Sequence, residues 1–556
     1  MSASSKKKLR KEQNAAALTE KQLTEQKEAK KLRNQTTAFV VAIALILVIG
    51  LVAFSVNAYK TTGITERMTT ALTVGNHKLS TAELSYFYFD AINSTYQEWY
   101  NQYGEYTATY MSLLYGLDLS KPLNEQIYDQ ENNKTYADYF LDLAIQDAVS
   151  AYTLYDLAKS ANHVMDETSK ENLENAKANL EAARVSSGYS SVTEYLKSFY
   201  GNGATARSFN KYLDVVGIAN SYELAIYNGM TYTADEINAY SDAHFNDYSS
   251  FSYDTFYLKY DEFVKCTAKA DDKDHEHTQE ELDAAAKDVK AAADSIVAAK
   301  PADEEAFNAA IKAIDVYAES ETAKCTVNED LLYSSISNTD VLEWLADSSR
   351  KAGDATVITN ETTTTDDDGN TVSNPYGLTV VIFRGRNDNN MKLVNVRHIL
   401  NSFTGATTDE NGNTVYSAAA IAKSEEVITT LQESWLADGG TEDAFAALAT
   451  LNTNDGGSVE TGGLYENVYP GQMVTAFNDW CFDESRQPGD YGVIETEYGF
   501  HLMYFVGNSE MSFREYMIDN TLRNEEYNNW YTEQIEAAKY TVNDTSKMRT
   551  DITLAG

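Results

Sequence analysis

Apolar positions follow a helical period over the first long stretch of this chain. Residues 73 to about 248 place aromatic and aliphatic side chains at helical spacing, without the alternation typical of strands. Ser80 three residues before Glu83 predicts a capping box, in which each side chain bonds the backbone N–H of the other. The same pairing recurs at Thr233 and Glu236, Thr278 and Glu281, and Ser512 and Glu515. We therefore predict a helical domain over 73–250 and a C-terminal helical segment, 509–556, that packs on it. Its helix should run from Phe513 to about Thr541.

Two stretches between these helical parts resemble each other. The segment 344–383 matches 480–505, and Trp, Asp, Ser, Arg, Gly and Asp coincide without a gap over the first eleven positions. Upstream of each stretch lies a strand-like segment, then an apolar-periodic helix, then the motif EEAF or EDAF. This is an internal duplication of about 120 residues. Each copy reads as a strand, helices and two closing strands, which predicts small α+β units over 251–386 and 391–508.

An apolar run near the start of the chain predicts a membrane segment. Residues 38–59 carry no charge, and about 20 such residues span a bilayer core of about 30 Å. Residues 1–35 hold ten Lys or Arg and four acids, and a basic flank belongs on the cytoplasmic side. We predict a basic cytoplasmic head (1–35), a transmembrane helix (36–58) and an extracytoplasmic remainder. The alternative is a signal peptide that is cleaved near Val56 and Ala58.

Charge and cysteine spacing exclude several classes of function. The head has a net charge of +6 and the whole chain has −40, so the rest of the chain carries −46. Such an acidic surface repels phosphates, which excludes nucleic acid as a partner. Cys266, Cys325 and Cys481 have no metal or redox spacing. A Cys266–Cys325 disulfide is an open alternative outside the cell, and Cys481 is expected in a core. The acidic run at 366–369 lacks the ligand spacing of a calcium loop, and we expect DHEH (274–277) to be solvated.

The two copies differ in polar residues that could form a site. Counting along the chain aligns His398, Asp455 and His501 of the second copy with Leu258, Tyr317 and Thr379 of the first. It likewise aligns Met473 and Phe477 with Ser337 and Val341. A lone strand histidine is usually structural. Two histidines and an aspartate that only one copy has are better explained as parts of a site.

These residues belong to motifs that resemble a known family. The segments VNVRHIL, FAALATLNTNDGGSVETGGLYENVYPGQMVTAF and GVIETEYGFHLMYF occur in the order and spacing of a parvulin-type peptidyl-prolyl cis–trans isomerase. The resemblance covers residues 391–508. The whole chain resembles extracytoplasmic foldases of the PrsA and SurA kind. It departs from the PrsA type in its membrane anchor and its additional unit, and the loop from Leu464 to Met473 is one residue longer than in familiar members.

The resemblance implies a fold class and a set of site residues. The chain would be an α+β multidomain protein: a transmembrane helix, a helical SurA-like chaperone domain, a degenerate parvulin-like unit, a complete parvulin domain and a C-terminal helix. The implied catalytic residues are His398, Asp455, Thr496 and His501. The implied substrate-binding residues are Leu464, Met473, Phe477 and Tyr498. No metal and no cofactor is expected.

The chemistry of proline explains why such residues suffice. Rotation about a peptide bond has a barrier of about 18–20 kcal/mol, and X–Pro bonds populate both isomers but exchange slowly. An apolar pocket that grips the prolyl ring excludes water from the amide and favours its twisted form. Met473 and Phe477, four residues apart, would face one side of a helical turn. A tenfold acceleration needs only about 1.4 kcal/mol.

We therefore expect a membrane-anchored isomerase and foldase that acts on unfolded secreted polypeptides containing X–Pro bonds. One alternative is a membrane-anchored holdase whose isomerase domain is vestigial. Another is a surface-exposed structural or adhesion protein, although no adhesin-like array of repeats is visible.

Overall fold

The computed structural model of the chain describes residues 63–265, 278–365, 371–409 and 412–554. The predicted basic head and transmembrane helix, Cys266, the acidic run at 366–369 and DHEH lie outside these ranges. Within them, no helix combines the length and the apolar character needed to cross a membrane. The described residues divide into two compact units. One comprises 63–231 with 521–554, and the other comprises Tyr232–Asn520.

The first unit is mainly helical. Its helices are α1 (Ile64–Met68), α2 (Thr81–Tyr103), α3 (Thr107–Tyr115), α4 (Tyr136–Ser160), α5 (Glu167–Ser186), α6 (Val192–Tyr200) and α7 (Ala206–Gly229). The strands β1 (Thr70–Val74) and β2 (His77–Ser80) pair with each other, and so do β3 (Ile127–Asp129) and β4 (Lys134–Thr135). A last strand, β15 (Tyr540–Val542), adds to β1, so that the first sheet has the order β15-β1-β2.

The sequence-based prediction of continuous helix is wrong at both ends of this unit. Residues 73–80 do not form a helix. They lie in the β-hairpin of β1 and β2, whose turn contains Gly75 with a φ of +54°. The C-terminal helix begins at Phe513 as predicted but ends at Glu536, and the chain then turns into β15. Strands of three to five residues carry too few positions to show alternation. Leu72 of β1 also pairs with Val542, a partner 470 residues away.

Tyrosines fill the interior of the helical unit. The ring of Tyr86 is fully buried and meets the rings of Tyr200 and Phe209 edge-on, each at a centroid distance of 5.0 Å. Its hydroxyl shares a hydrogen bond of 2.7 Å with Ser208 at the start of α7. Such pairs add about 0.5–1.5 kcal/mol to the free energy gained by burial. A tyrosine-rich sequence therefore builds a packed core of aromatic rings, in which the Tyr86 hydroxyl has a partner and the buried hydroxyls of Tyr88 and Tyr195 have none.

The second unit contains two α+β parts that follow α8 (Ala234–Ala243). The first part comprises β5 (Ser250–Lys259), α9 (Gln279–Ala299), α10 (Glu304–Lys312), β6 (Thr326–Leu332), α11 (Thr339–Ala346), β7 (Ala355–Thr365) and β8 (Thr371–Asn387). The second comprises β9 (Lys392–Ser402), β10 (Thr407–Thr408), β11 (Thr414–Val415), α12 (Ala418–Ala437), α13 (Glu442–Asn452), β12 (Leu464–Val468), α14 (Thr475–Cys481), β13 (Tyr491–Thr496) and β14 (Gly499–Ser512). The helix α15 (Phe513–Glu536) follows, and its first eight residues belong to this unit.

Both α+β parts have the same sheet topology, which confirms the internal duplication. The strand order is β6-β5-β8-β7 in the first and β12-β9-β14-β13 in the second, with all neighbours antiparallel. The sequence pattern predicts only three strands in each copy. It misses β6 and β12, which are short edge strands.

Local contacts also repeat between the copies. In each, an arginine stacks on the tryptophan six residues before it, and a glycine N–H bonds the backbone oxygen of a phenylalanine in the last strand. The pairs are Arg350–Trp344 and Arg486–Trp480 at 4.3 and 4.0 Å to the ring centroid, and Gly353–Phe383 and Gly489–Phe505, both at 2.8 Å. These contacts confirm the alignment of Trp344 with Trp480.

Strand register corrects one of the counted equivalences. His398 pairs with Met503, which lies two residues before Phe505. In the first copy, Val381 lies two residues before Phe383, and it pairs with Thr255. The first copy therefore has Thr255, and not Leu258, where the second has His398. The count is three residues off because the segments between strand and tryptophan differ in length. Thr379 keeps its place as the counterpart of His501.

Four capping boxes predicted from the sequence are confirmed. At each, the N-cap hydroxyl accepts from the backbone of the acid three residues on, and the carboxylate accepts from the N-cap N–H. One of them, Ser512 with Glu515, begins α15 directly at the end of β14. Cys481 is buried in the second α+β part, as expected.

Candidate functional site

Two neighbouring strands bring His398 and His501 into contact. His398 lies on β9 opposite Met503 of β14, and His501 is two residues away on β14, so both side chains leave the same face of the sheet. Their rings stack at a centroid distance of 5.3 Å and an angle of 19°. The two Nδ1 atoms lie 3.1 Å apart. Both residues are buried, at 3% and 4% exposed, so this hydrogen bond is shielded from water.

Asp455 binds the far side of the His398 ring. It lies in the loop after α13, and its Oδ2 atom is 2.8 Å from Nε2 of His398. The same oxygen accepts hydrogen bonds from the hydroxyls of Ser458 at 2.5 Å and Tyr465 at 2.8 Å. The hydrogen bond from His398, followed by those from the two hydroxyls, holds the pKa of Asp455 well below its usual range despite partial burial. Asp455 is therefore a carboxylate at neutral pH.

Thr496 completes the row beyond His501. Its Oγ1 atom is 2.9 Å from Nε2 of His501 and accepts the backbone N–H of Tyr498 at 3.2 Å. Burial, with a smaller contribution from neighbouring His398, lowers the pKa of His501 to about 3. His501 is therefore neutral at physiological pH and has one nitrogen that donates and one that accepts.

Protons can be assigned to the row so that every ring nitrogen has a partner. The Thr496 hydroxyl donates to Nε2 of His501, whose Nδ1–H donates to Nδ1 of His398. His398 then donates from Nε2 to the carboxylate of Asp455. Each group donates to the next in the same direction, and successive hydrogen bonds of this kind polarise one another. The row fixes both imidazole tautomers and orients both rings.

An apolar wall stands on these histidines. Phe477, in α14, meets both rings edge-on, at 5.4 Å from His398 and 5.7 Å from His501. Met473 is half-buried just before α14 and packs against the same apolar cluster, which includes Val396 and Met503. The phenylalanine is anchored in the core, whereas the methionine keeps an accessible edge. The prediction that the two residues share a helical turn is wrong, because the helix begins at Thr475. Met473 and Phe477 nevertheless pack in the same apolar cluster.

The glycines of the motif allow the backbone to approach the site. Gly463 has a φ of +77°, and its carbonyl accepts the backbone N–H of His398 at 2.9 Å. A Cβ atom on Gly463 would lie 2.3 Å from the His398 carbonyl oxygen. A side chain there would push the loop away from β9. This position requires glycine for both its conformation and its space.

Tyr465, and not Leu464, faces the histidines. Leu464 pairs with Arg397, and Tyr465 pairs with Val396, which is two residues from His398 on the same face. The Tyr465 ring lies 5.2 Å from that of His398 and 6.5 Å from that of Phe477. The prediction that Leu464 lines the pocket is therefore wrong by one residue.

Tyr498 lies at the rim. It occupies the turn between β13 and β14, with its side chain 56% exposed. Its backbone N–H bonds Thr496, and its carbonyl accepts the N–H of Phe403. The backbone of Tyr498 thus belongs to the site, whereas its ring borders the opening.

Ser458 and Tyr465 are site residues that the sequence analysis missed. Ser458 is fully buried and contacts both Asp455 and Nε2 of His398, the latter at 3.3 Å. It lies three residues after Asp455, within the glycine-rich segment NDGGS. Its closeness to Asp455 in the sequence could have indicated that it belongs to the site. Tyr465 could have been found from the alternation of β12, had that strand been recognised.

The arrangement is suited to binding an apolar ring. The Thr496 hydroxyl contacts His501 at 2.9 Å, and the Ser458 hydroxyl contacts His398 at 3.3 Å. Both residues are buried, at 8% and 0% exposed, and their hydroxyls bond other members of the polar row. Among the described residues, no three His, Cys, Asp or Glu side chains are placed to hold a metal ion. What the site presents is a rigid polar floor under a wall of Met473, Phe477 and Tyr465.

Residues 378–507 match the family model of the PPIC-type PPIASE domain. This part of the chain is therefore a parvulin-type peptidyl-prolyl isomerase domain, as its motifs indicate. The match includes the two histidines, Asp455, Thr496 and the apolar wall. No curated protein matches the sequence.

Several solved structures are similar over parts of the chain. The PrsA peptidylprolyl isomerase of Bacillus cereus is 22% identical over 27% of this chain and 46% of its own length, with a TM-score of 0.16. PrsA of Bacillus anthracis is 18% identical over 27% of this chain and 59% of its own, also with a TM-score of 0.16. This chain thus spans about half the length of these two PrsA structures. A structure from a study of PEB4 and Cj1289, described as SurA-like chaperones of Campylobacter jejuni, is 13% identical over 84% of this chain and 96% of its own, with a TM-score of 0.14.

Proposed function

We propose that this protein is a peptidyl-prolyl cis–trans isomerase that assists the folding of polypeptides. The observation that carries the proposal is the buried row Thr496–His501–His398–Asp455 beneath Met473 and Phe477. Isomerisation needs no nucleophile, because no covalent bond is made or broken.

Each part of the site has a physical role in this reaction. Met473, Phe477 and Tyr465 form an apolar surface for the prolyl ring, and methionine adapts to its shape. Removing water from the amide favours the twisted form, which has lost its conjugation and is the less polar of the two. The row of hydrogen bonds fixes the orientation of both imidazole rings, so that the pocket is formed before substrate binds.

An assay that needs no coupling protease tests the activity. Exchange between cis and trans signals of an X–Pro peptide is measured by NMR with the full chain present, and with the His501→Gln variant as the matched comparison. We expect the native chain to accelerate exchange above the uncatalysed rate. The acceleration by the His501→Gln variant should be at least tenfold smaller. A folded native chain that leaves the exchange rate at its buffer value would reject the enzymatic function.

A second function, binding of unfolded chains, is supported by an apolar surface on the helical unit. The end of α2, the segment after it, α3 and the strand β3 expose large apolar side chains: Tyr100, Tyr106, Tyr110, Leu113, Leu114, Tyr115, Ile127 and Tyr128. Leu113 is 74% exposed. Contiguous apolar surface of this kind is unusual on a monomer and is typical of binding sites. We propose that it holds unfolded segments, either with the isomerase or, in the alternative, without any catalysis.

Aggregation assays separate the two readings. The client is a protein whose refolding is limited by proline isomerisation. If the protein is only a holdase, the His501→Gln variant and the native chain should suppress aggregation equally and give the same refolding rate. A foldase predicts equal suppression but slower refolding with the variant. Replacing Leu113 and Leu114 by serine should weaken suppression in both cases while leaving peptide isomerisation unchanged.

We also propose that the apolar segment 36–58 anchors the protein in the cytoplasmic membrane, with the basic head inside and the units described above outside. The charge difference between the two sides of the segment supports this orientation. Alkaline carbonate extraction of membranes, combined with protease protection of the head, tests both the anchor and its direction. Release of the chain by carbonate, or cleavage of the head from outside, would contradict it.

A further inference from the structure

A cavity of about 500 Å³ lies in the helical unit, between the start of β2, α4 and α7. Its volume is in the range of pockets that hold a small ligand. The residues of α7 that line it are three or four positions apart over two turns, so they share one face of the helix. They are Arg207, Asn210, Lys211, Asp214 and Val215. The cavity shares no residue with the proline site or with the apolar surface proposed for unfolded chains.

Three rings from β2 and α4 give the cavity an aromatic wall. The ring of Tyr152, which is buried, meets that of His77 at a centroid distance of 4.9 Å. The His77 ring also meets that of Tyr155 edge-on at 6.0 Å. His77 and Tyr155 are only partly buried, and all three rings line the cavity. Such a wall can pack against an aromatic side chain of a ligand.

The carboxylates at the cavity already have partners. One of them lines the cavity, and two others bond residues that line it. The pairs are Asp214–Lys177 and Asp156–His77, both at 2.7 Å, and Glu83–Lys211 at 2.8 Å. In two of these pairs a lysine balances the charge of the acid. These carboxylates therefore leave the remaining cations of the cavity without an acidic partner.

Arg207 is such a cation. It is exposed, and no carboxylate in the described part of the chain forms an ion pair with it. It is the second residue of α7, where the helix dipole disfavours a cation and favours an anion, and the first turn of α7 holds no acid. Lys159 lies 5.2 Å from the centre of the Tyr155 ring and likewise has no ion pair among the described residues. The cavity thus presents unpaired positive charge beside an aromatic wall.

A carboxylate next to an aromatic group matches both features. A guanidinium binds a carboxylate through two parallel N–H···O bonds, and the rings receive the apolar part. A cationic ligand would be repelled by Arg207 and Lys159. Because Arg207 and Asn210 are exposed, a polypeptide that enters the cavity can continue into solvent on either side. The chain as a whole carries −40 and repels acidic segments, so this cavity offers them a favourable contact.

We propose that the cavity binds an acidic side chain of an unfolded polypeptide together with an aromatic side chain next to it. Arg207 binds the carboxylate, and His77, Tyr152 and Tyr155 pack on the aromatic ring. The inference rests on the proposed binding of unfolded chains and does not depend on the isomerase.

A peptide series tests this site with the full chain. Three capped peptides of equal length carry Phe-Glu, Phe-Gln or Ala-Glu at their centre and contain no proline, and Kd is measured by ligand-detected NMR titration. We expect the Phe-Glu peptide to bind about fivefold more tightly than the Phe-Gln peptide at low salt. The Ala-Glu peptide should also bind more weakly than the Phe-Glu peptide. High salt should bring the Phe-Glu and Phe-Gln peptides together, because exposed charges are screened.

Charge-neutral variants locate the cause. Arg207→Gln should bring the ratio of the two Kd values, Phe-Gln to Phe-Glu, close to one, and the exposed position of Arg207 makes a folding defect an improbable cause. Lys170→Gln is the matched control, since Lys170 is exposed on α5 and does not line the cavity. It removes the same charge from the same unit and should leave the ratio unchanged. A fourth peptide, which ends in phenylalanine with a free carboxylate, tests the chain end as the source of the anion.

The outcomes separate this inference from the proposed functions. Equal Kd values for the Phe-Glu and Phe-Gln peptides, or a ratio that Arg207→Gln does not alter, would overturn it and leave the isomerase and the apolar surface intact. Tighter binding of the fourth peptide than of the Phe-Glu peptide would assign the cavity to chain ends and overturn the role of acidic side chains. Because none of the peptides contains proline, a chain without isomerase activity should still show the preference.

Discussion

The imidazole rings of His398 and His501 share one hydrogen bond, Nδ1 to Nδ1 at 3.1 Å, although 103 positions separate them in the chain. Each ring uses its second nitrogen for another partner, Asp455 or Thr496. The Nδ1 atom of each ring therefore depends on the other histidine. Removing His501 leaves Nδ1 of His398 without its partner, and an unpaired buried polar group costs about 1–3 kcal/mol.

Replacement of His501 should therefore lower catalytic activity, because it also removes the partner that orients His398. We expect His501→Leu to lower kcat/KM for an X–Pro peptide by roughly 10- to 100-fold, because the orientation of His398 is lost with its partner. Thr379→Leu, at the equivalent position of the first α+β part, is the control and should change kcat/KM by less than twofold. An equal loss from both substitutions would show that the effect is not specific to the row.

Substitutions of Met473 and Phe477 should distinguish effects on substrate binding from effects on stability. Met473 is half-buried, so Met473→Ala should reduce kcat/KM about tenfold and lower the free energy of unfolding only slightly. Phe477 is buried between the histidines and the core, so Phe477→Ala should abolish activity and lower the free energy of unfolding by about 3–5 kcal/mol. Urea unfolding and exchange NMR on the same samples measure both. Val341→Ala, the counterpart in the first part, should affect stability alone.

Tyr465 and Leu464 offer a direct test of the register. Tyr465→Phe removes one hydrogen bond to Asp455, and we expect a loss of about 1 kcal/mol, or about fivefold in kcat/KM. Tyr465→Ala also removes a wall of the pocket and should reduce kcat/KM further. Leu464→Ala should change it by less than twofold. The reverse order, with Leu464→Ala the more damaging, would contradict the placement of Tyr465 in the site.

Stability should depend on pH through His501. Its pKa falls from an ordinary 6.5 to about 3 in the folded chain because burial disfavours the charged ring. Between those values the unfolded chain binds a proton that the folded chain does not, so stability is full above pH 6.5 and declines as the pH falls towards 3.

The variant His501→Gln isolates this contribution. Urea midpoints of the native chain should drop more than those of the variant between pH 7 and pH 5. Asp455 does not interfere in this window, because its lowered pKa affects stability only below its ordinary value of 3.8. Parallel pH dependence in the two proteins would mean that His501 titrates normally.

Much of the architecture was readable because local rules dictate it. Helical periodicity and four capping boxes located helix starts such as Thr81 and Phe513, and the repeated Trp-to-Asp segment exposed the duplication. These features depend on neighbours within a few residues, so the sequence contains them in full. The short strands did not follow from such rules. Residues 540–542 are extended because they pair with β1, and only the folded chain brings that partner near.

The site divides in the same way. The sequence by itself identified the two histidines, Asp455, Met473 and Phe477, since one copy has them and the other does not, and the family resemblance added Thr496. It placed Leu464 where Tyr465 lies and matched His398 to Leu258 and not to Thr255. Those choices depend on strand register, and a shift of one residue turns a side chain to the other face of the sheet. Register is set by pairing between β9, β12 and β14, so only the tertiary structure determines which side chains meet.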